Sequence, residues 1–237
     1  MVEKKVIILG TAPTLINTPW DQDGVTYWGC QPVITHKPCA GHRLDAIFEF
    51  HKPEYWTTIK DRLNAFVQDN PKTIIYMQEQ FPQINNSKKY PLAEVQECLN
   101  HPRLRSYFQS TIAYMVSLAI LQGYTKIELY GVHMASEEEE YSLQRENMTA
   151  LLAFAWGKGI DFYLPDESSI MKSDYLYGYE QEKGYILELI NYKKGLINGE
   201  KELEKKLQAI RDEYNQQKGG VMAFNNFINE KRKTEHK

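Results

Sequence analysis

Cysteine is scarce in this chain of 237 residues: Cys30, Cys39 and Cys98 are an odd number with no Cys-x-x-Cys pair. That pattern argues against a disulfide framework and a thiolate zinc site, and it favours a reducing compartment. Long hydrophobic runs are also missing, since no stretch approaches the roughly eighteen apolar residues of a membrane span. The start, MVEKKVIILG, passes directly into a strand-like run without the pattern of a signal peptide, so the expectation is a soluble protein of the cytoplasm. Charge of one sign is lacking as well: a net charge of −3 does not supply the basic footprint of a protein that coats duplex nucleic acid, and no such partner is expected. What is present, 42% hydrophobic and 12% aromatic residues, suffices for a core and excludes wholesale disorder. The length fits one sizeable domain with an appendage.

Along the chain, Val6-Ile7-Ile8-Leu9 is an unbroken apolar run ending at Gly10, the pattern of a strand buried on both faces. Thr11 and Pro13 follow as a helix start, with Thr11 as a candidate cap, so the corner can present free N–H groups to an anion. Residues 25–30, 46–51, 72–77, 126–130 and 160–164 read as further strands. Residues 53–67, 112–121 and 137–156 read as helices, the second opened by Ser110-Thr111. Residues 78–105 are irregular and rich in Pro, Asn and Lys, and are expected to form a functional loop or lid. Strands alternating with helices predict an α/β fold with a mainly parallel sheet covered on both faces. The division expected is 1–178 for this domain and 179–237 for a helical appendage. There Ile186, Leu189, Ile190, Leu196, Leu203, Leu207 and Ile210 recur helically between breaks at Gly195, Gly199 and Gly219-Gly220, and a homo-oligomer through these helices is one expectation.

Ligands of open α/β sheets sit outside the carboxyl ends of the strands, so the polar residues there are the candidates. They are Gly10, Thr11 and Ala12, then Gln31, Glu49 and His51, Gln78, Ser110 and Thr111, and His133. Glu49 lies between Phe48 and Phe50, and His51 points to the same side of the strand; the two can bind a ribose, orient a base or move a proton, or form a structural pair. Tyr141, Gln144 and Arg145 share a helix face and can recognise a phosphate or sugar, with Arg145 steadying a leaving group. His36, His42 and Arg43 lie in a basic loop able to clamp a polyanion, while Arg43 with Asp45 reads equally as a surface ion pair. Tyr163, Tyr175, Tyr177 and Tyr179 can stack on a base or pack. The run from Glu137 to Glu140 reads as a solvated helix start. No histidine spacing indicates a metal, and none is assigned. GTAPT is neither a Rossmann glycine fingerprint nor a P-loop, and no serine-hydrolase, cysteine–histidine or kinase signature occurs.

VIILGTAPTL at 6–15, WGCQP at 28–32, DAIFEFH at 45–51 and STIAYMVSLAILQGYTKIELYGVHM at 110–134 resemble segments of the family 42 sialyltransferases. They also resemble the related MptE-like proteins, which include 6-hydroxymethylpterin diphosphokinases, and phage-encoded members that share the stretch Glu140 to Arg145. The resemblance covers about the first two thirds of the chain. It implies a Rossmann-like three-layer α/β/α fold and a nucleotide held by Gly10, Thr11, Ala12, Gln31, His51, Ser110 and Thr111. His133 and Gln144 complete the expected nucleotide contacts, and Glu49, His51, Tyr141 and Arg145 are the expected catalytic set. Where the sialyltransferases carry Asn and Gly at the strand ends, Thr11, Gln31 and His51 stand here. Their catalytic histidine segment has no counterpart between Met134 and Phe162. The leading expectation is a nucleotide-dependent transferase, a glycosyltransferase using a nucleotide sugar, in the host cytoplasm if phage-encoded. The alternatives are a non-catalytic phage protein that sequesters a nucleotide signal and an ATP-dependent diphosphokinase. The last would need Mg²⁺ and the clustered carboxylates of Glu49 and Asp45; no other cofactor is implied.

Overall fold

A computed structural model describes residues 3–56, 58–135, 139–173, 176–179 and 184–235. Within it, Val6 to Leu9 form most of β1 (Lys5–Leu9), which pairs in parallel with β2 (Thr26–Cys30) on one side and β6 (Lys126–Tyr130) on the other. Because successive side chains of a strand alternate, Val6 and Ile8 enter one core and Ile7 and Leu9 the other. This two-sided burial is why the run contains no polar residue.

The sheet continues through β3 (Ala46–Phe48), β4 (Ile74–Met77) and β5 (Ser87–Lys89), and beyond β6 through β7 (Asp161–Tyr163). Among the described residues the sheet has seven strands, all parallel, in the order β5-β4-β3-β2-β1-β6-β7. One face carries α1 (Ile59–Asp69), whose Leu63 and Val67 are buried against Ile47 and Ile75. The other carries α2 (Leu92–Leu99), α4 (Thr111–Leu121) and α5 (Glu139–Gly157). The result is the three-layer α/β/α architecture with its parallel sheet. Successive strands leave β1 to one side, and the chain then returns to place β6 on its other side, so the order reverses between β1 and β6. That gap is the topological switch point.

Three local expectations are corrected. Residues 78–105 are not a structureless lid: they contain β5 at the sheet edge, then α2 and the short α3 (Pro102–Arg105). Edge strands need no apolar alternation, and Lys88 and Lys89 leave β5 exposed and charged, which hid it from a hydrophobic pattern. After β1 the chain forms only a 3₁₀ turn, Pro13–Asn17, with Ala12 rather than Thr11 in the cap position and no side-chain cap. In the appendage, the glycines do not interrupt the helix.

The chain divides into two compact units, Met1–Lys172 and Ser173–Lys237. The second is dominated by α6 (Gly184–Glu235), a single helix of 52 residues that runs through Gly195, Gly199, Gly219 and Gly220. No helix among the described residues is long and apolar enough to cross a membrane.

Candidate functional site

At the switch point the exits of β1 and β6 touch. Gly10 N–H donates to the Tyr130 carbonyl and Ala12 N–H to the Gly131 carbonyl, each at 2.8 Å. A Cβ on Gly10 would stand 2.3 Å from Gly131 O, and one on Gly131 would stand 2.4 Å from Gly10 O. Gly131 also has a φ of +69°, so two independent constraints exclude a side chain there. The two glycines allow the backbone to form the floor of a cleft of about 700 Å³.

One wall is the start of α4. Ser110 caps this helix, its Oγ accepting from Ala113 N–H at 3.2 Å, while the N–H groups of Thr111 and Ile112 lie in the first turn without intrahelical acceptors. The approach to the cap is fixed by Asn147, fully buried on α5: its Oδ1 accepts from Gln109 N–H at 3.1 Å and its Nδ2 donates to Tyr107 O at 2.5 Å. Tyr114 stacks between Phe50 and Phe108, with centroid distances of 4.1 and 4.6 Å, and ties the same approach to the end of β3. Among the described lining residues there is no Lys or Arg. An anion would therefore be met by helix N–H groups and by the Thr11, Ser110 and Thr111 hydroxyls.

His51, beyond the end of β3, also lines the cleft. Glu49, 1% exposed, accepts with Oε1 both the His51 backbone N–H and its ring Nδ1–H, each at 2.6 Å. The imidazole is thereby oriented, and Nε2 is the ring nitrogen left for other partners. Among the described residues, neither Glu49 Oε2 nor the amide nitrogen of Gln31, both buried, has a hydrogen-bond partner. Gln78 secures this strand end by donating its amide to the Phe50 carbonyl. At the β6 exit, Thr14 Oγ1 accepts from Gly131 N–H at 3.0 Å and lies 2.7 Å from His133 Nε2. The arrangement that uses each group once has the hydroxyl donating to Nε2, with the ring proton on Nδ1.

Gly10, Thr11, Ala12, His51, Ser110, Thr111, His133, Tyr141 and Gln144 thus line one cleft. Glu49 and Gln31 do not reach its surface; they lie buried beside the lining residues His51, Cys30 and Pro32. Arg145 is placed elsewhere: its guanidinium donates to Met134 O at 3.0 Å, bracing the loop after β6, and it faces a separate shallow cavity with Ser169 and Met171. Gln144 donates to Glu140 at 2.8 Å. Sharing a helix face was not enough to bring Arg145 to the cleft, because a nearer carbonyl satisfies it.

Of the loop after β2, Pro32 lines the cleft but His36, His42 and Arg43 do not. The loop returns from the carboxyl end of β2 to the amino end of β3, where His42 stacks on Trp20 at 4.5 Å, and Arg43 pairs with Asp45 at 3.3 Å. Asp45 and Glu49 accordingly stand at opposite ends of β3 and do not cluster. Tyr163 packs on Tyr130, 5.3 Å between centroids, and Tyr177 and Tyr179 are exposed in the second unit. Tyr175 and the start of the acidic run, Glu137 and Glu138, lie outside the described residues. Thr14, Asn147, Gln109 and Gly131 were missed as site residues. Only Gly131 had a visible sequence signal, a glycine ending a strand like Gly10.

Burial pushes the Cys30 thiol up to about 12 against an ordinary 9.0, so the one cysteine lining the cleft stays protonated at neutral pH and is a poor nucleophile.

No family model matches the chain, and no curated protein matches it. Solved structures do. The chain is similar to an α-2,3-sialyltransferase from Campylobacter jejuni in apo form, at 20% identity over 70% of this chain and 77% of that one, with a TM-score of 0.50. It is also similar to the sialyltransferase CstII from Campylobacter jejuni in complex with the substrate analogue CMP-3FNeuAc, at 17% identity over 73% of this chain and 92% of that one, with a TM-score of 0.46. The first of these likenesses shows that the chain has a sialyltransferase-like α/β/α fold.

Proposed function

We propose that this protein is a glycosyltransferase that takes a sugar from a nucleotide donor, in the cytoplasm, and that His51 is its general base. One observation carries the reading: a histidine oriented by a buried carboxylate faces the same cleft as the facing glycines and the capped start of α4. The sialyltransferase-like fold and the CMP-3FNeuAc bound by the CstII structure are consistent with a nucleotide-sugar ligand.

In this reading the donor phosphate lies over Gly10 and Gly131, against the N–H groups of Thr111 and Ile112. His51 Nε2 takes the proton of the acceptor hydroxyl as its oxygen attacks the anomeric carbon. The bond from that carbon to the phosphate oxygen breaks, and the electron pair leaves with the nucleotide. Glu49 keeps the imidazole in the tautomer that can accept and stabilises the imidazolium that forms. In the same reading Tyr141 and Gln144 hydrogen-bond the leaving phosphate, and His133 contacts the nucleotide.

The test is a thermal-shift screen against nucleotides and nucleotide sugars, followed by mass spectrometry of the hits with acceptor mixtures. The expected result is stabilisation by one class of nucleotide sugar and its turnover. His51→Gln should lower turnover by about 10² or more while nucleotide affinity changes only a few-fold. A nucleotide bound tightly but always recovered unchanged would defeat the transferase reading, and full turnover by His51→Gln would remove His51 from its role.

A further inference from the structure

From Ile186 to Ile228, alternating steps of three and four along α6 meet an apolar residue at ten of thirteen positions, as in the central run Leu203, Leu207, Ile210, Tyr214, while Ile190, Ile197, Met222 and Phe227 lie beside this seam. Such steps average 3.5 residues, the repeat of a coiled-coil seam rather than the 3.6 of a helix lying on a globular core. The large apolar side chains of this seam between Leu196 and Phe224 are 58–66% exposed. In proteins most helical stability comes from packing an apolar face rather than from propensity, and four internal glycines weaken the propensity of this helix further. The seam therefore needs an occupant.

We propose that the occupant is α6 of a second copy of this chain, paired antiparallel. Three positions of the seam are polar, Lys193, Glu200 and Gln217, and they decide the direction. In a parallel, in-register pair Lys193 would meet Lys193 and Glu200 would meet Glu200 at the core, while the flanking Lys206 would face Arg211 of the second copy. Turning one helix around, with the twofold axis between Gln208 and Ala209, removes every one of these conflicts. Leu207 then packs on Ile210, Leu203 on Tyr214 and Leu196 on Val221. Glu200 meets Gln217, and the methylene stem of Lys193 lies along Phe224. On the flanks, Lys206 faces Glu213 and Glu204 faces Arg211, opposite charges at the positions that set orientation in coiled coils. Gly199 comes opposite Gly220 at the flank, where the absence of side chains permits close approach.

The test uses the full-length chain. Sedimentation equilibrium should show a dimer that the double variant Leu203→Asp/Ile210→Asp converts to monomer, with thermal unfolding of the α/β unit followed in parallel. Lys206→Glu separates the two directions, because it sets Glu against Glu213 in the antiparallel pair but against Arg211 in the parallel one. The expected result is a dimer weakened on the order of tenfold, since symmetry changes two pairs at once, and recovery in Lys206→Glu/Glu213→Lys. In Lys193→Cys the two introduced thiols stand about 47 Å apart at 1.5 Å per residue, so no 193-to-193 disulfide should form on oxidation. A monomeric wild-type chain at 100 µM, a dimer that survives the Asp variant, a tighter dimer with Lys206→Glu, or a 193-to-193 disulfide would each overturn the proposal.

Discussion

The residues that shape the cleft most strongly are two that have no side chain. Gly10 and Gly131 stand so close that each occupies the volume the other's Cβ would need, at 2.3 and 2.4 Å from carbonyl oxygens that are themselves part of the backbone. A rigid backbone atom cannot yield as a flexible side chain can. Gly10→Ala is therefore expected to cost about 1–3 kcal/mol of stability and to spread the β1 and β6 exits. Urea unfolding measures the first effect, and loss of nucleotide affinity without loss of fold measures the second. An Ala variant with wild-type stability would mean that the two turns do not touch. At the same scale, Glu49 shows how a residue uncomfortable in its sequence setting becomes informative. A carboxylate between two phenylalanines has to be paired, and its partner is the histidine two positions on.

Among the elements, α4 and α6 contrast in how they are held. α4 is apolar on nearly all sides, with Ile112 to Ile120 buried almost without interruption, and it lies between the sheet, α2 and α5. Its identity as a helix does not depend on its cap, but its first turn does. Ser110→Ala is expected to cost about 1 kcal/mol, because the Ala113 N–H loses its side-chain acceptor, and to loosen the N–H groups offered to an anion. Thermal unfolding and phosphate or nucleotide titration check the two parts, and an unchanged affinity would show that the α4 start does not bind the ligand. α6 has no such enclosure. Its four internal glycines each cost about 1 kcal/mol against alanine in a helix interior, so its persistence depends on what covers its seam.

For the whole molecule, burial of thiols and phenols sets an alkaline limit. Burial pushes the Cys30 thiol up to about 12 and Cys39 up to about 11, from 9.0. Tyr130 is pushed up to about 12, first by burial and then by the Glu128 carboxylate, and Tyr90, Tyr114 and Tyr124 are raised mainly by burial. Each group keeps its proton in the folded chain after the unfolded chain has released it. Their contribution to stability is complete below about pH 9 and is lost as the pH rises through the folded values near 11–12. Urea midpoints measured from pH 7 to 11 should be level at first and then fall above about pH 9, with a shallower fall in Cys30→Ala. A profile that stays level to pH 11 would contradict the burial of these groups.

Much of this molecule is local and was legible in order along the chain. Val6 to Leu9 is a two-faced strand because no polar residue interrupts it, Ser110 opens a helix because its hydroxyl can replace a missing acceptor, and alternating strands and helices impose a parallel sheet. Those features depend on neighbours within a few residues, and the amino-acid sequence by itself determined them. Which strand ends meet was decided only in three dimensions. Nothing in the order of residues states that Gly131 faces Gly10 across the switch point, that Thr14 links the two turns to His133, or that Asn147 holds the approach to α4. The same holds for Arg145, whose guanidinium donates to the Met134 carbonyl and faces a separate cavity from Tyr141 and Gln144, and for β5, which sheet pairing recruits without an apolar pattern. The physical reason is that periodicity and capping act through adjacent backbone, whereas these contacts join separate elements, from 11 residues apart for Arg145 and Met134 to 119 for Thr14 and His133, and form only when the elements pack around the sheet.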